Sequence, residues 1–551
     1  MLRTSVHPRP LAAPPKHERS VSIPVEGGVH RGLPAHALPP GMSPDVRNFY
    51  PTTDGWIEPR SGLSSFGTHT FSGAVLGAAE VFDVAGTSCG FAPSSVSFSF
   101  LHPDAQIWSS LSYVQSNVTH MRGTPSGQST DYFRTTSVYD AGTDSFIAVT
   151  SNNTNSVKFF TVASNASVFS DFSWVDSLSS TMKAKDVVAI NDRLVFFNTE
   201  SSDGTRYVTR VLWSARGDPK NYQIASEAGF EDLMGMRGEG QAAVRFRDFL
   251  LLFTEYEVWR GTPTLDAYAF RFDRVVDNVG CPFPKTIAVT PNGVIFMEHD
   301  REIYITDGNA VASLGPVGAE GPSRIQRILQ DDAVNMDRSW GIYNHSENRY
   351  ELYYTASDSS EGFPTRSLWY DITKRSWWPQ YFSHEVTSGI DMYDPAVIVT
   401  YDEIEDSYDS VALNYDAYDV VQRNRLVNIF TSGGSTLRFR SAQTSDNGSA
   451  IDARWRSPGL KSPDHRKFHM TDVWTDYETD SASSASLFLG DARDPDGFDA
   501  TRALSLTTSA APIFSPCWTT SQAPAFELRL NDGGRPRITS FTATLRSASR
   551  F

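Results

Sequence analysis

An acidic stretch between Asp391 and Asp419 holds the densest set of residues that could do chemistry. It contains nine carboxylates and neither lysine nor arginine. Three interpretations are open: a solvated loop, the acidic wall or rim of a channel, and a Ca²⁺ site, because hard cations favour carboxylate oxygens. An acidic wall would repel phosphate, so nucleic acid could slide past it without binding. The stretch lacks EF-hand spacing, so we assign no metal site to it. The candidate channel or rim residues are Asp391, Asp394, Asp402, Glu403, Glu405, Asp406, Asp409, Asp416 and Asp419.

Carboxylates could also serve a glycosidase, which needs two of them on either side of the bond that it cleaves. Asp83, Asp140, Glu257 and Asp307 stand at the ends of predicted strands. Acidic residues are common at turns, however, because their side chains bond the local backbone. The repeated Asp-box of sialidases, Ser-x-Asp-x-Gly-x-x-Trp, does not occur. We therefore predict a protein that is not an enzyme and uses no cofactor.

One aromatic pair could bind a sugar. Trp377 and Trp378 precede Pro379 and could form a flat platform. Packing inside a sheet explains the same residues, and we favour that interpretation. The twelve histidines include no HExxH pattern, so they indicate no zinc site.

The overall charge limits the possible partners. The 551 residues carry a formal net charge of -16. A sequence-specific reader of nucleic acid needs a basic surface, so this class is disfavoured. The three distant cysteines, Cys89, Cys281 and Cys517, predict reduced thiols. With no apolar run typical of a signal peptide or a membrane span, we expect a chain that folds in a cytoplasm.

The elements that must position these residues are short strands joined by tight turns. Aromatic residues make up 12% of the chain and suit half-buried strands. Strand, tight turn and strand recur about every 40 to 55 residues, which is the range of propeller blades. One short helix is predicted from Ser323 to Leu329. Candidate blades begin near Ala78, Thr136, Val187, Ala243, Ile287, Trp340 and Val397.

The chain divides into three predicted parts. Residues 1–45 are rich in proline and glycine and predict an extended N-terminal arm. Residues 46–430 form the β-propeller. Residues 431–551 form an additional β-sandwich-like C-terminal domain, in which Asn531–Gly534 is predicted to join the last two strands as a hairpin. The predicted class is all-β.

Several short motifs, in a fixed order, resemble a known family. The first set of motifs is Pro39-Pro40-Gly41, Asn48-Phe49-Tyr50-Pro51, Gly55-Trp56-Ile57 and Arg60-Ser61-Gly62. A second set in the middle of the chain runs from Val211 to Tyr222 and contains Gly217-Asp218-Pro219. In this order the motifs resemble the tail nozzle of short-tailed bacteriophages, also called tail tubular protein B or packaged-DNA stabilisation protein. The resemblance reaches from about residue 30 to residue 380.

The resemblance implies a structural virion protein of the phage tail, assembled in the host cytoplasm. Its expected form is a homohexameric ring below the head-to-tail adaptor ring, in contact with tail fibres or tail tip proteins. The ring would close the DNA channel, retain the packaged genome and conduct double-stranded DNA during ejection without reading its sequence. Deletion of residues 1–45 is expected to leave the propeller folded but to impair ring assembly.

Two alternatives stay open at this stage. One is a peripheral propeller that binds host-surface glycan or anchors tail fibres. The other is a propeller enzyme that degrades host polysaccharide.

Overall fold

The structure, a computed structural model, divides into two compact units. The sandwich unit combines the chain up to Arg60 with the chain from Asp452 on, and the propeller unit is Ser61–Ile451. The structure describes residues 18–94, 96–102, 108–113, 131–163, 165–166, 168–172, 182–264, 269–316, 321–393, 425–440, 443–460, 467–479, 482–494, 496–508, 512–530 and 534–547.

The first strands of the chain belong to the sandwich unit, and the next one belongs to the propeller unit. In chain order they are β1 (Glu18–Pro24), β2 (Val46–Arg47), β3 (Phe49–Pro51) and β4 (Ile57–Pro59), followed by β5 (Gly62–Ser65) of the propeller unit.

Blades 1 to 3 of the propeller are antiparallel four-stranded sheets in sequence order. Tight turns fix their register: Asn191 and Asp192 both have positive φ, as a type I′ hairpin turn requires. Parallel pairing of β13 with β9 also joins blades 1 and 2. Blade 1 is β6 (Ala79–Phe82), β7 (Ser88–Pro93), β8 (Phe98–Leu101) and β9 (Ser109–Tyr113); blade 2 is β10 (Arg134–Asp140), β11 (Ser145–Ser151), β12 (Lys158–Thr161) and β13 (Val168–Asp171); blade 3 is β14 (Lys183–Ile190), β15 (Arg193–Glu200), β16 (Arg206–Trp213) and β17 (Gly229–Asp232).

Blades 4 to 6 repeat the pattern. Blade 4 is β18 (Gly240–Phe246), β19 (Phe249–Thr254), β20 (Glu257–Pro263) and β21 (Phe270–Asp277); blade 5 is β22 (Ala288–Thr290), β23 (Gly293–Met297), β24 (Ile303–Thr306) and β25 (Val311–Ser313); blade 6 is β27 (Trp340–Asn344), β28 (Arg349–Ala356), β29 (Arg366–Asp371) and β30 (Ser376–Tyr381), with β26 (Ala333–Val334) paired to the end of β28.

Helix α1 (Gln326–Asp332) connects blades 5 and 6. The predicted helix is present but begins and ends three residues later in the chain than expected, and the Ser323 hydroxyl before it accepts a hydrogen bond from the Gln326 N–H at 3.1 Å. Short 3-10 turns lie at Ala35–Ala37, Ile224–Ser226, Pro284–Thr286 and Met336–Arg338.

Blade 7 is closed by a strand from the start of the unit. It consists of β31 (Val386–Tyr393), β32 (Arg425–Thr431) and β33 (Thr436–Arg440), and β5 pairs antiparallel with β33 as its fourth strand. A short hairpin, β34 (Ser445–Asp446) and β35 (Ser449–Ala450), continues the sheet. The pairing of β5 with β33 therefore joins the two ends of the propeller unit in one sheet.

Buried apolar clusters fill the spaces between successive blades. Phe91 and Phe100 of blade 1 pack against Phe160 of blade 2, and corresponding clusters join blades 2 to 5. A further cluster joins blade 7 to blade 1 through Met392 and Trp108. Contacts between the first strands of blades 5, 6 and 7 complete the ring, and contacts among the first strands of most neighbouring blades place these strands around the axis.

The sandwich unit consists of two sheets. One has the order β3-β4-β42-β37-β40 with β1 on β42, and the other has the order β2-β36-β41-β38-β39. Trp455 of the second sheet stacks on Phe541 of the first, with ring centroids 5.0 Å apart. The remaining strands are β36 (Ala453–Arg456), β37 (Phe468–Glu478), β38 (Ser483–Asp491), β39 (Asp499–Leu506), β40 (Ile513–Ser521), β41 (Pro524–Leu530) and β42 (Arg537–Ser547).

The all-β class, the propeller and the C-terminal sandwich-like domain are confirmed. The boundaries differ from those predicted. Residues 18–59 supply β1 to β4 to the sandwich unit, because their backbone groups pair with distant strands. The predicted hairpin between the last two strands is wrong, because β41 and β42 lie in opposite sheets.

Candidate functional site at the axis of the propeller

A cavity of about 240 Å³ lies where the inner strands begin. Its lining includes Arg134, Lys185 and Gln241, which lie within the first three residues of β10, β14 and β18 respectively. It also includes Lys285 and Asp337, which precede β22 and β27. The first strands of five blades meet only around the axis, so the cavity is axial. We call it the axial cavity.

Arg134 bridges the axis from blade 2. Its guanidinium donates a short hydrogen bond to the carbonyl of Pro284, which precedes blade 5. Its Nε lies 3.8 Å from Oδ2 of Asp186. This cation is therefore held in place by partners of the protein itself.

The buried side chain of Asp186, in β14 of blade 3, bonds the backbone of blade 4. Its carboxylate accepts hydrogen bonds from the backbone N–H of Val187 at 2.7 Å and of Ala243 at 2.8 Å. Burial raises the pKa of Asp186 to about 6, although Arg134 and the two backbone donors act in the opposite direction. Both oxygens are occupied, so the group serves the sheet rather than a substrate.

Two lysines in the axial cavity have only neutral partners within bonding distance among the described residues. Lys185 Nζ donates to Oε1 of Gln241 at 2.6 Å, and Lys285 Nζ donates to the Asp337 carbonyl at 2.5 Å. Lys285 Nζ also lies 3.2 Å from the centre of the Tyr132 ring. Burial lowers the pKa of both ammonium groups, that of Lys285 well below its usual range, against the attraction of Asp337 and Asp131.

Tyr132 fixes one side of the cavity. Its hydroxyl donates to the Thr387 carbonyl in β31 at 2.9 Å, which ties blade 2 to blade 7. Burial raises the pKa of Tyr132, so the hydroxyl stays a donor. Together with Phe283 it gives the cavity an aromatic surface. The arrangement offers donors, acceptors and ring faces, as a binding site requires.

Of the predicted channel or rim residues, the structure places only Asp391. Its carboxylate is 5% exposed in β31 and is bonded to Nε of Arg425 at 3.1 Å and to Nδ1 of His345. Arg425 also bonds Glu80 of blade 1 at 2.8 Å. Asp391 thus belongs to a buried ion-pair network between blades 7 and 1. The other eight, Asp394, Asp402, Glu403, Glu405, Asp406, Asp409, Asp416 and Asp419, lie outside the described residues.

The carboxylates considered for glycosidase chemistry each have local partners. Asp83 accepts from the Thr87 N–H at 2.7 Å, and Asp140 bonds Lys220 at 2.9 Å. Asp307 accepts from the Ala310 N–H at 3.0 Å. Glu257 is completely buried, and its bonds to Trp259, Arg274 and a backbone N–H lower its pKa despite that burial. These residues stabilise turns and blades.

Two other sequence features also have structural roles. Trp377 and Trp378 are both fully buried, so the packing interpretation is confirmed. The segment Gly86–Gly90 matches the Gly-x-Ser-x-Gly spacing of a nucleophile elbow, which requires a strand-to-helix turn. Here Ser88 lies in a β-hairpin and donates to Glu80.

Within the part of the chain that the structure describes, no cluster of three or more histidine, cysteine or acidic residues could hold a metal ion.

The N-terminal motifs of the family resemblance organise the chain around Asn48. Asn48 has positive φ, and its side chain donates to the Asp452 carbonyl at 2.7 Å. The buried Arg60 donates through Nε to the Asn48 side-chain oxygen at 3.2 Å. In the propeller unit, the Gly62 N–H donates to the Gln443 carbonyl. A Cβ at Gly62 would lie 2.3 Å from the Ser445 carbonyl oxygen.

The second motif closes blade 3. Ser214 accepts from the Leu194 N–H at 2.9 Å, and Gly217, with φ of 72°, donates to the Asp192 carbonyl. Tyr222 is buried beneath this loop. The motif residues therefore bind parts of the chain to each other.

No protein-family model matches the sequence, and no curated protein matches it. Solved structures that are similar at low identity include BamB from Moraxella catarrhalis (8% identity, TM-score 0.35, 71% of this chain and 96% of that one) and YCF48 bound to D1 peptide (10%, 0.36, 71% and 98%). Virginiamycin B lyase from Staphylococcus aureus is another (6%, 0.38, 68% and 97%). No helix in the described residues is long and apolar enough to cross a membrane.

Proposed function

We propose that this chain is a non-catalytic structural protein of a short-tailed phage tail, which forms a homohexameric nozzle below the adaptor ring. The observation that carries the proposal is the role of the motif residues. Asn48, held by Arg60, bonds the N-terminal segment to the C-terminal part of the sandwich unit, and Gly62 lets the closing strand β5 approach the Ser445 backbone. Motifs with such roles suit a family whose members share an assembly and not a reaction.

The surroundings of the candidate catalytic groups support the same proposal. Asp140 and Glu257 have cationic and backbone partners, and Ser88 lies in a hairpin. General acid–base chemistry needs a group within reach of a substrate proton. Residues that are fully occupied by the fold do not favour such chemistry.

The charge and the axis of the propeller suggest where DNA would pass. Arg134 and Pro284 bridge the axis, so a duplex would need a channel between subunits. Six copies would carry a formal charge of -96, six times -16. A strongly acidic ring would repel phosphate and let DNA slide during ejection. In this proposal, the tail fibres or tip proteins attach to the outside of the ring.

A reconstruction of the phage particle tests the proposal. We expect sixfold density for this chain on the tail axis and a hexamer by native mass measurement. Particles assembled without the protein should lose packaged DNA. A peptide tag inserted after Gly204, in an exposed turn with open space around it, would mark the chain in the density. Density at a fibre tip with threefold symmetry would instead support a peripheral glycan-binding propeller and contradict the nozzle.

A further inference from the structure

The axial cavity brings together cations that the fold does not neutralise directly. An ammonium group has three N–H donors, and Lys185 uses one on a neutral amide oxygen. Lys285 uses one on a backbone carbonyl and faces the Tyr132 ring. By contrast, Lys183, two residues before Lys185 on the same strand, pairs with Glu200 at 2.8 Å. Both lysines are half-buried, so part of their hydration is lost and an anionic partner would compensate for it.

The acidic groups around the cavity limit what that partner can be. Asp131 and Asp337 line the cavity beside Arg134, Lys185 and Lys285, so the lining carries three positive and two negative groups. A simple polyanion would meet repulsion from the two carboxylates. A ligand with one carboxylate and several hydroxyls matches the cationic and the acidic groups of the lining. Its hydroxyls can donate to the protein carboxylates, while its own carboxylate accepts from the ammonium groups.

Size and shape point to the same class. The cavity, at about 240 Å³, is just below the usual volume of pockets for drug-sized ligands. Asn153 and Gln241 supply further amide donors and acceptors, and Phe283 offers an apolar ring face. These features suit one compact ring or chain bearing hydroxyls.

We infer that the axial cavity binds a small hydroxylated carboxylate, either a sugar acid or an open-chain hydroxy acid, with Lys185 and Lys285 holding its carboxylate. This inference is independent of the nozzle proposal, since it concerns one subunit in solution and not its place in a particle. Sugar acids and open-chain hydroxy acids share a carboxylate beside hydroxyl groups, and binding of glucuronate compared with tartrate distinguishes them.

Isothermal titration and thermal shift with the full chain test the inference. The probes are glucuronate for the sugar acids, tartrate for the hydroxy acids, glucose without a carboxylate and acetate without hydroxyls. We expect glucuronate or tartrate to bind and raise the melting temperature, and glucose and acetate to bind at least tenfold more weakly. Binding of glucose equal to that of glucuronate, or binding of none of the four, would overturn it.

Variants locate the site. Lys185→Met should reduce the affinity for the better acid at least tenfold, whereas Lys183→Met, the control from the same strand, should leave the affinity unchanged. If Lys185→Met does not fold, Lys185→Gln retains a donor for Gln241 and serves in its place. Equal affinity in wild type and folded Lys185 variants would place any binding elsewhere and refute the inference.

Discussion

Buried ionisable residues in this protein act mainly through bonds to the backbone and to neighbouring blades. Glu257 is fully buried but accepts hydrogen bonds from the Arg237 backbone N–H, the Trp259 indole and the Arg274 guanidinium, so its pKa falls. Asp186 has two backbone donors and only a distant cation, so burial dominates and its pKa rises. Burial alone therefore does not set the charge state; the hydrogen bonds and charges that reach the carboxylate act against it.

The raised pKa of Asp186 predicts a pH-dependent stability. Between its ordinary pKa near 4 and about 6, the folded state binds more protons than the unfolded state. Stability should therefore fall as pH rises through this interval, by about 3 kcal/mol in total. Denaturant unfolding of the wild type and Asp186→Asn at pH 4 to 7 measures the difference. Parallel pH profiles of the two proteins would contradict this assignment.

At the scale of elements, two devices close the propeller. One is the β5 strand, which completes blade 7 from the other end of the unit. The other is the ion-pair network in which Arg425 joins Asp391 of blade 7 to Glu80 of blade 1. Closure through a shared sheet and a buried ion pair resists opening of the ring, because separating the blades exposes both apolar surface and unpaired charge.

Arg425→Met tests the ion-pair network. It would leave the buried Asp391 and the half-buried Glu80 without their shared cation, so the unfolding free energy should fall by about 2–3 kcal/mol, below the usual cost of breaking a fully buried pair. Arg327→Met is the control, since Arg327 and its partner Asp331 are each 71% exposed and the pair is worth about 0.5 kcal/mol. Denaturant titration measures both. A loss for Arg425→Met no larger than for the control would mean that the network does not hold the ring.

Gly62→Ala tests the closing strand. A Cβ there would meet the Ser445 carbonyl oxygen at 2.3 Å, so the strand must shift, at a cost of about 1–3 kcal/mol. Gly433→Ala, in the turn of the same blade, has only an ordinary contact at 3.9 Å and should be neutral or slightly stabilising. Thermal unfolding distinguishes the two. Equal melting temperatures for both variants would show that the approach at Gly62 is not limiting.

At the scale of the whole molecule, the first and the last described strands both belong to the sandwich unit. β1 pairs with β42 along all of its seven residues, and β2 pairs with β36. The propeller unit is a continuous insertion between these parts. A molecule built in this way can lose its N-terminal strands without losing any strand of the propeller.

Deletion of residues 1–45 should therefore destabilise the sandwich unit and spare the propeller unit. It removes β1 with the buried side chains Ile23, Val25 and Val29, worth roughly 5 kcal/mol in lost apolar burial. Calorimetry should show one transition lowered and one unchanged, together with impaired ring assembly. Deletion of residues 1–17 is the control, because it leaves every described strand intact. Identical calorimetric profiles for the two deletions would contradict the role of β1.

Local patterns in the sequence were sufficient for the strands and the repeat. Six of the seven predicted blade starts coincide with inner strands, from β6 to β27, because tight turns and apolar runs are encoded within a few residues. The seventh, near Val397, lies outside the described residues, and blade 7 begins at Val386. The burial of Trp377 and Trp378 within a blade was also predicted from the sequence.

Long-range pairing was decided only by the tertiary structure. No local signal shows that β5 joins a strand that begins at Thr436, or that β41 and β42 lie in opposite sheets, because strand partners are selected by burial of whole faces. The axial cavity depended on the same assembly. Lys185, Lys285 and Tyr132 are distant in the chain, and only the closed ring of blades places their side chains around one ligand-sized space. The sequence by itself determined an all-β propeller with a second β unit, and the tertiary structure decided where its charges meet.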